Sequence, residues 1–179
     1  MAAKPELLRE LRELTGSITQ SNREFWTAPD FPSGVAKGIV TELLGNARTE
    51  WLISLFIANP EPYILWCERE SAILPTALIQ RGLKPHRIQF LNSVEDLYQP
   101  LRVALESQHY PFVVAPHRLT DVTAFQRLHL IAEKSKSTIF LLGEKTFSQA
   151  WPISLQLEIN DSGEGFQILT HRQKHGLSS

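Results

Sequence analysis

Between residues 38 and 142, short apolar runs alternate with amphipathic stretches, and glycine, proline or a capping residue marks most of the junctions. That rhythm constrains the fold more than any other feature of the chain. Gly38 to Gly45 is an apolar strand bracketed by glycines, and residues 50–58 form an apolar stretch long enough for a buried helix. Tyr63 to Cys67 is a second strand, after the Pro60-Glu61-Pro62 break. A helix follows with Ser71 as its N-cap, Pro75 in its first turn, one face of Leu74, Ala77 and Leu78, and Gly82 at its end. Arg87 to Leu91 reads as a strand, and Ser93 as the cap of a helix with Leu97, Leu101, Ala104 and Leu105 on one side. Phe112 to Ala115, Asp121 to Lys134 and Thr138 to Leu142 continue as strand, helix, strand. Strands and helices alternating through short loops specify right-handed βαβ units and a mostly parallel sheet, an α/β fold.

The flanks are different in kind. Leu7, Leu11 and Leu14, with Leu8 beside them, form one apolar stripe of an N-terminal helix over residues 5–14. Residues 15–38 combine turn-forming Ser, Asn, Pro and Gly with Phe25, Trp26 and Phe31, too aromatic for a free linker. The surface they cover belongs either to this chain or to a partner. After Trp151 the period becomes two: residues 153–159 and 166–170 flank a turn at 160–165, a hairpin with one polar face, added antiparallel at a sheet edge. The expected organisation is an N-terminal helix and irregular segment (1–37), a core with its C-terminal hairpin (38–171), and a tail (172–179). The 179 residues suit one core rather than two.

A formal net charge of −1 leaves no global field to attract nucleic acid or an anionic membrane. The one local basic candidate is His171-Arg172-Gln173-Lys174-His175, so direct nucleic-acid affinity is expected to be weak or absent. The first 14 residues alternate leucine with charge, unlike the apolar core of a signal peptide, and no run approaches the roughly 20 apolar residues of a membrane span. The single cysteine, Cys67, excludes an internal disulfide and a multi-cysteine zinc site. A cytoplasmic location is the expectation.

In α/β proteins, a strand that ends in glycine and leads into a helix is where phosphate binds. Here that junction is Gly45-Asn46-Ala47-Arg48-Thr49-Glu50. A working phosphate loop needs G-x-x-x-x-G-K-[ST], whose backbone N–H groups wrap the phosphates while lysine and hydroxyl serve the phosphates and magnesium. Only the first glycine is present. There is no second glycine and no lysine, and Glu50 places a carboxylate where an anion should sit. Glu50 suits the helix dipole but repels a triphosphate.

Tyr63 to Phe90, in which a strand ends in Glu68 and a proline-containing helix ends at Gly82, resembles the second strand, helix and third strand of RecA-type recombinases. Gly38 to Gly45 resembles the strand that feeds their phosphate loop. The resemblance covers about residues 38–142 and implies a RecA-like three-layer sandwich, with a mostly parallel central sheet, a C-terminal antiparallel hairpin and an N-terminal helix. It places Glu68 where that family keeps its water-activating glutamate. Thr49 and Glu50 fall where it keeps the loop lysine and hydroxyl, with about two loop residues deleted, and Ala115 falls where the magnesium-linked aspartate belongs. The scaffold is kept and the nucleotide chemistry is missing, which implies no cofactor, no metal and no catalysis.

Among RecA-like proteins with that loss, the chain resembles the ImuA group in length, N-terminal helix and basic-ended hairpin. That group implies a role in damage-inducible mutagenesis, with an inactive Y-family polymerase homologue or an error-prone polymerase as partner, and possible self-association. The similar SulA group implies the alternative of a cell-division inhibitor binding a tubulin-like GTPase; a residual nucleotide-binding ATPase is the third reading.

Other reactive side chains have ordinary structural explanations. Glu68 suits a paired carboxylate at a strand end, and Cys67 a small core residue. His171 and His175 are spaced i, i+4 but lack a third ligand. His117 and His129 have no accompanying nucleophile and read as surface or helix-face residues.

Overall fold

The computed structural model describes residues 23–68, 73–92, 96–117, 121–143, 145–149 and 152–174. The amphipathic segment at 5–14, the expected caps Ser71 and Ser93, and His175 lie outside the described residues. An antiparallel ribbon of β1 (Phe25–Trp26) and β2 (Val35–Ala36) precedes the main sheet. The first crossover runs from β3 (Val40–Leu44) through α1 (Arg48–Ala58) to β4 (Ile64–Glu68). Then come α2 (Pro75–Gln80), β5 (Ile88–Asn92), α3 (Tyr98–Ser107), β6 (Phe112–Pro116), α4 (Val122–Ser135) and β7 (Thr138–Leu142). The chain closes with β8 (Leu155–Asp161) and β9 (Phe166–Gln173).

The strand order is β5-β4-β6-β7-β3-β8-β9, and every pairing is parallel except β8 with β9. The hairpin is antiparallel within itself, but it does not join the sheet antiparallel. Its first strand runs parallel to β3, with Thr41 opposite Leu155 and Leu43 opposite Leu157. Strand β8 is therefore interior: Leu155, Leu157 and Ile159 are buried on one face and Gln156 is buried on the other. The expected polar face is real in sequence, but part of it is covered.

Two apolar layers flank the sheet. On one side Trp51, Leu52, Leu55 and Phe56 of α1, with Leu78 of α2, pack on Leu43, Trp66, Phe112 and Phe140. On the other, Leu101 and Leu105 of α3 and Phe125, Leu128 and Ala132 of α4 pack on Val40, Val113, Ala115 and Ile139. Alternate residues of each strand serve opposite layers, as the pleat requires.

Helix α1 is apolar around most of its circumference because it is covered twice, by the sheet and by the segment before β3. Trp51 Nε1 donates to the Pro29 carbonyl at 2.7 Å, and Asn59 Nδ2 donates to the Thr27 carbonyl at 2.8 Å. The described part of the aromatic 15–38 segment thus packs on its own chain. Trp26 lies 4.5 Å from the Phe112 ring and donates to Thr138 Oγ1 at 2.9 Å. Arg87, expected to begin a strand, instead ends a 3-10 turn over Pro85–Arg87 and is buried. Its guanidinium donates to the carbonyls of Phe56, Asn59 and Pro62, pinning the α1–β4 connection.

Helix starts shift for local reasons. Helix α2 begins at Pro75, because Leu74, the residue before proline, is held extended; Leu74 is two-thirds exposed rather than on the buried face. At α3 the Asp96 carboxylate accepts from Tyr98 N–H at 2.9 Å and supplies the first-turn acceptor. Asp121 caps α4 through Thr123 N–H. No helix among the described residues is long and apolar enough to cross a membrane.

Candidate functional site

The turn from β3 into α1 is built against β8. Gly45 has φ +96°, and a Cβ there would lie 2.0 Å from the Ile159 carbonyl oxygen, so only glycine allows this approach. Asn46 N–H donates to Asn160 Oδ1 at 3.3 Å, and Ala47 N–H donates to the Ile159 carbonyl at 3.1 Å. The Asn46 side chain accepts in return from Asp161 N–H at 3.0 Å. Arg48 folds back, its Nη1 donating to the Gly45 carbonyl at 2.7 Å. Two backbone donors that a phosphate-binding turn would aim at an anion are thus engaged by the neighbouring strand.

The first turn of α1 adds a carboxylate. Thr49 is half-buried, and Glu50 receives both Nε and Nη2 of Arg81, at 2.8 and 2.7 Å. This bidentate pair, between exposed side chains, ties α1 to the end of α2. A depression beside the turn is lined by Asn46, Ala47, Glu50, Asp161, Gly165 and Phe166. Two of those six are acidic, which disfavours an anionic ligand.

The other positions singled out in the sequence are dispersed. Glu68 ends β4, is buried, and accepts a long hydrogen bond from Ile73 N–H at 3.4 Å. Ala115 lies wholly inside the α3/α4-side core, opposite Leu141 of β7. In the strand order, β6 and β7 stand between Glu68 on β4 and the turn after β3. Cys67 is buried in β4 and desolvation pushes its thiol up to about 12, so it is inert at neutral pH. His171 is held by Glu158 at 2.9 Å and lies against Phe147, with ring centroids 4.5 Å apart. The described part of the basic tail is woven into β9. His129 sits on α4, where burial above all depresses its imidazole. No cluster of three or more His, Cys, Asp or Glu residues suited to a metal occurs among the described residues.

Sequence reasoning passed over Glu42, the most deeply buried carboxylate of the described chain. It lies on β3 with no exposed surface. Both its oxygens accept from Ser148 N–H, at 3.1 and 3.0 Å, and Oε2 accepts from Gln156 Nε2 at 2.7 Å. Gln156 also donates to the Ser148 carbonyl at 2.7 Å. His117 Nε2 stands 3.6 Å from Glu42 Oε1, so His117 faces the interior rather than the surface. This network gathers β3, β8, the end of β6 and the β7–β8 connection at the carboxyl ends of the parallel strands. Ligands of open α/β sheets bind at that end; here protein groups fill it. The one sequence sign was a glutamate inside the apolar run Ile39 to Leu44.

No protein-family model matches the chain. No curated protein is significantly similar to it in sequence. Its fold, in contrast, recurs among solved structures. The crystal structure of the RadB recombinase superposes with a TM-score of 0.60 at 13% sequence identity, covering 80% of this chain and 86% of that one. The architecture is that of a RecA-like three-layer sandwich, with a mostly parallel central sheet and a C-terminal antiparallel hairpin.

Proposed function

We propose that this chain is a non-catalytic RecA-fold adaptor, working in the cytoplasm through protein–protein contacts with a polymerase-like partner in damage-inducible translesion DNA synthesis. One observation carries the non-catalytic part of the reading: the Asn46 and Ala47 backbone donors of the β3–α1 turn are bonded to β8. Adding ATP there would require breaking those bonds and bringing a triphosphate beside Glu50 and Asp161. Ala115, inside the core, offers no carboxylate for magnesium, and Glu68 on its own holds no substrate. A fold that keeps its sheet without its nucleotide chemistry acts through its surfaces. The polymerase partner is supported by the resemblance of the flanks to the ImuA group.

The segments we assign to the partner are the leucine-striped residues 5–14 and the last residues of the tail. Truncation before Arg23 or after Lys174 leaves every described strand intact, whereas removing residues 160–179 would strip β9 and the end of β8. Pull-down of an inactive Y-family polymerase homologue by the full chain and by these two truncations tests the reading. Recovery by the full chain, with loss on one truncation, is expected. No recovery by the full chain overturns the polymerase partner. Suppression of light scattering from a polymerising tubulin-like GTPase would establish division inhibition in its place.

A further inference from the structure

We infer that an aromatic corner at the amino ends of β4, β5 and β6 is a recognition site for a proline-rich peptide in the polyproline II conformation. Tyr63 stands directly before β4, His109 and Tyr110 stand shortly before β6, and the turn Pro85–Arg87 leads into β5. The Tyr63 and His109 rings are stacked, with centroids 4.8 Å apart and planes 17° from parallel. Tyr110 meets His109 edge-on, at 4.9 Å and 87°. With Ile88, Gln89 and Phe90 of β5, these rings line a depression of about 440 Å³, within the size range of ligand sites. It lies at the end of the parallel strands opposite the β3–α1 turn and the Glu42 network.

The backbone fixes these rings in place. Arg87 donates to the Pro62 carbonyl at 2.8 Å, tying the residue before Tyr63 to the β5 wall. Phe112 N–H donates to the Tyr63 carbonyl at 3.3 Å, and Thr138 N–H to the Pro111 carbonyl at 2.8 Å. Pro111 restricts the backbone of Tyr110, whose hydroxyl donates to Gln89 Oε1. Rings fixed in advance lose little freedom when a ligand packs on them. Tyr63 is nevertheless 42% exposed, and His86, Gln89 and His109 are exposed as well. The depression is open, a shape for a chain crossing it rather than for an enclosed small molecule.

The polar groups decide the class of ligand. Because Tyr110 occupies its Oε1, Gln89 presents its amide N–H groups. No hydrogen bond engages that amide nitrogen, the Tyr63 hydroxyl or the His86 and His109 rings among the described residues. The corner thus offers flat ring faces and a surplus of donors. No carboxylate lines it, and Arg87 is a buried positive charge in its wall, which disfavours a cation. No lysine lines it either, and Arg87 spends its guanidinium on the carbonyls of Phe56, Asn59 and Pro62, which disfavours phosphate. A proline-rich segment matches both features: its prolines carry carbonyl acceptors without N–H donors, and its rings pack on aromatic side chains. An ordinary extended peptide would bring as many donors as acceptors to a corner short of acceptors.

Fluorescence anisotropy of labelled decaproline titrated with the full chain tests the site, beside a Gly-Ser peptide and an oligothymidine of equal length. Saturable binding of decaproline alone is expected. Tyr63→Ala should weaken it at least about tenfold and Gln89→Leu about threefold, while Tyr63→Phe, which keeps the ring, should lose less than Tyr63→Ala. Circular dichroism checks the fold of each variant; should Tyr63→Ala fail to fold, Gln89→Leu and Tyr63→Phe carry the test. No saturable rise up to about 1 mM chain overturns the proposal, as does decaproline binding that is unchanged in folded Tyr63→Ala or Gln89→Leu. Tighter binding of oligothymidine than of decaproline would assign the corner to single-stranded nucleic acid and equally overturns it.

Discussion

Glu42 shows what one residue does in this fold. A carboxylate without solvent contact is costly unless its oxygens are bonded, and three contacts answer that need: Ser148 N–H, the Gln156 amide and the nearby His117 ring. Replacing Glu42 with Ala leaves the Ser148 and Gln156 donors facing a void, and chemical denaturation should register a loss of about 2–4 kcal/mol. Glu42→Gln keeps an acceptor and should lose less. Equal losses for the two variants would mean that side-chain volume, not hydrogen bonding, holds the β7–β8 connection. Cys67 supplies an independent readout at the same scale. Its thiol, buried and raised to about 12, should react with an alkylating reagent at neutral pH only through unfolding. Labelling of the folded protein at the rate of a free thiol would contradict its placement in β4.

Among the elements, the ribbon β1–β2 is the one whose role the sequence left open. Phe25, Trp26 and Phe31 announced a packing segment but not its surface, because aromatic content reports burial without direction. Trp26 resolves it, resting on Phe112, donating to Thr138 and carrying Lys37 Nζ 4.3 Å over its ring. Trp26→Ala should lower the unfolding free energy by about 3–5 kcal/mol, measured by urea denaturation; a loss under about 1 kcal/mol would mean that the ribbon is an appendage.

The strands β3, β4, β6 and β7, the helix α4 and the buried face of α3 were legible, because each is a local pattern flanked by local stop signals. Leu97, Leu101, Ala104 and Leu105 are all buried where their spacing placed them. The parallel insertion of β8 beside β3 was not legible, since alternation at 153–159 defines two faces but not the neighbour of either. For the same reason the candidate site was only half visible. The sequence Gly45 to Glu50 shows which phosphate ligands are missing; that Asn160 and Ile159 occupy the turn's donors depends on a strand more than a hundred residues away.

For the whole molecule, the sheet order places the β3–α1 turn beside β8 at the carboxyl ends of the strands, where nucleotide would bind in a sheet of this kind. The protein's own groups meet there instead: Asn46 with Asn160 and Asp161, Ala47 with Ile159, Glu42 with Ser148 and Gln156. On this account the sheet is a frame, and function resides on the surfaces of the chain rather than in a nucleotide site. The most direct test of that central claim is calorimetric titration of the full chain with ATP and magnesium. The account predicts no saturable heat. Saturable binding with a Kd in the micromolar range, about −8 kcal/mol of binding free energy, would show that the turn opens to phosphate and would contradict it.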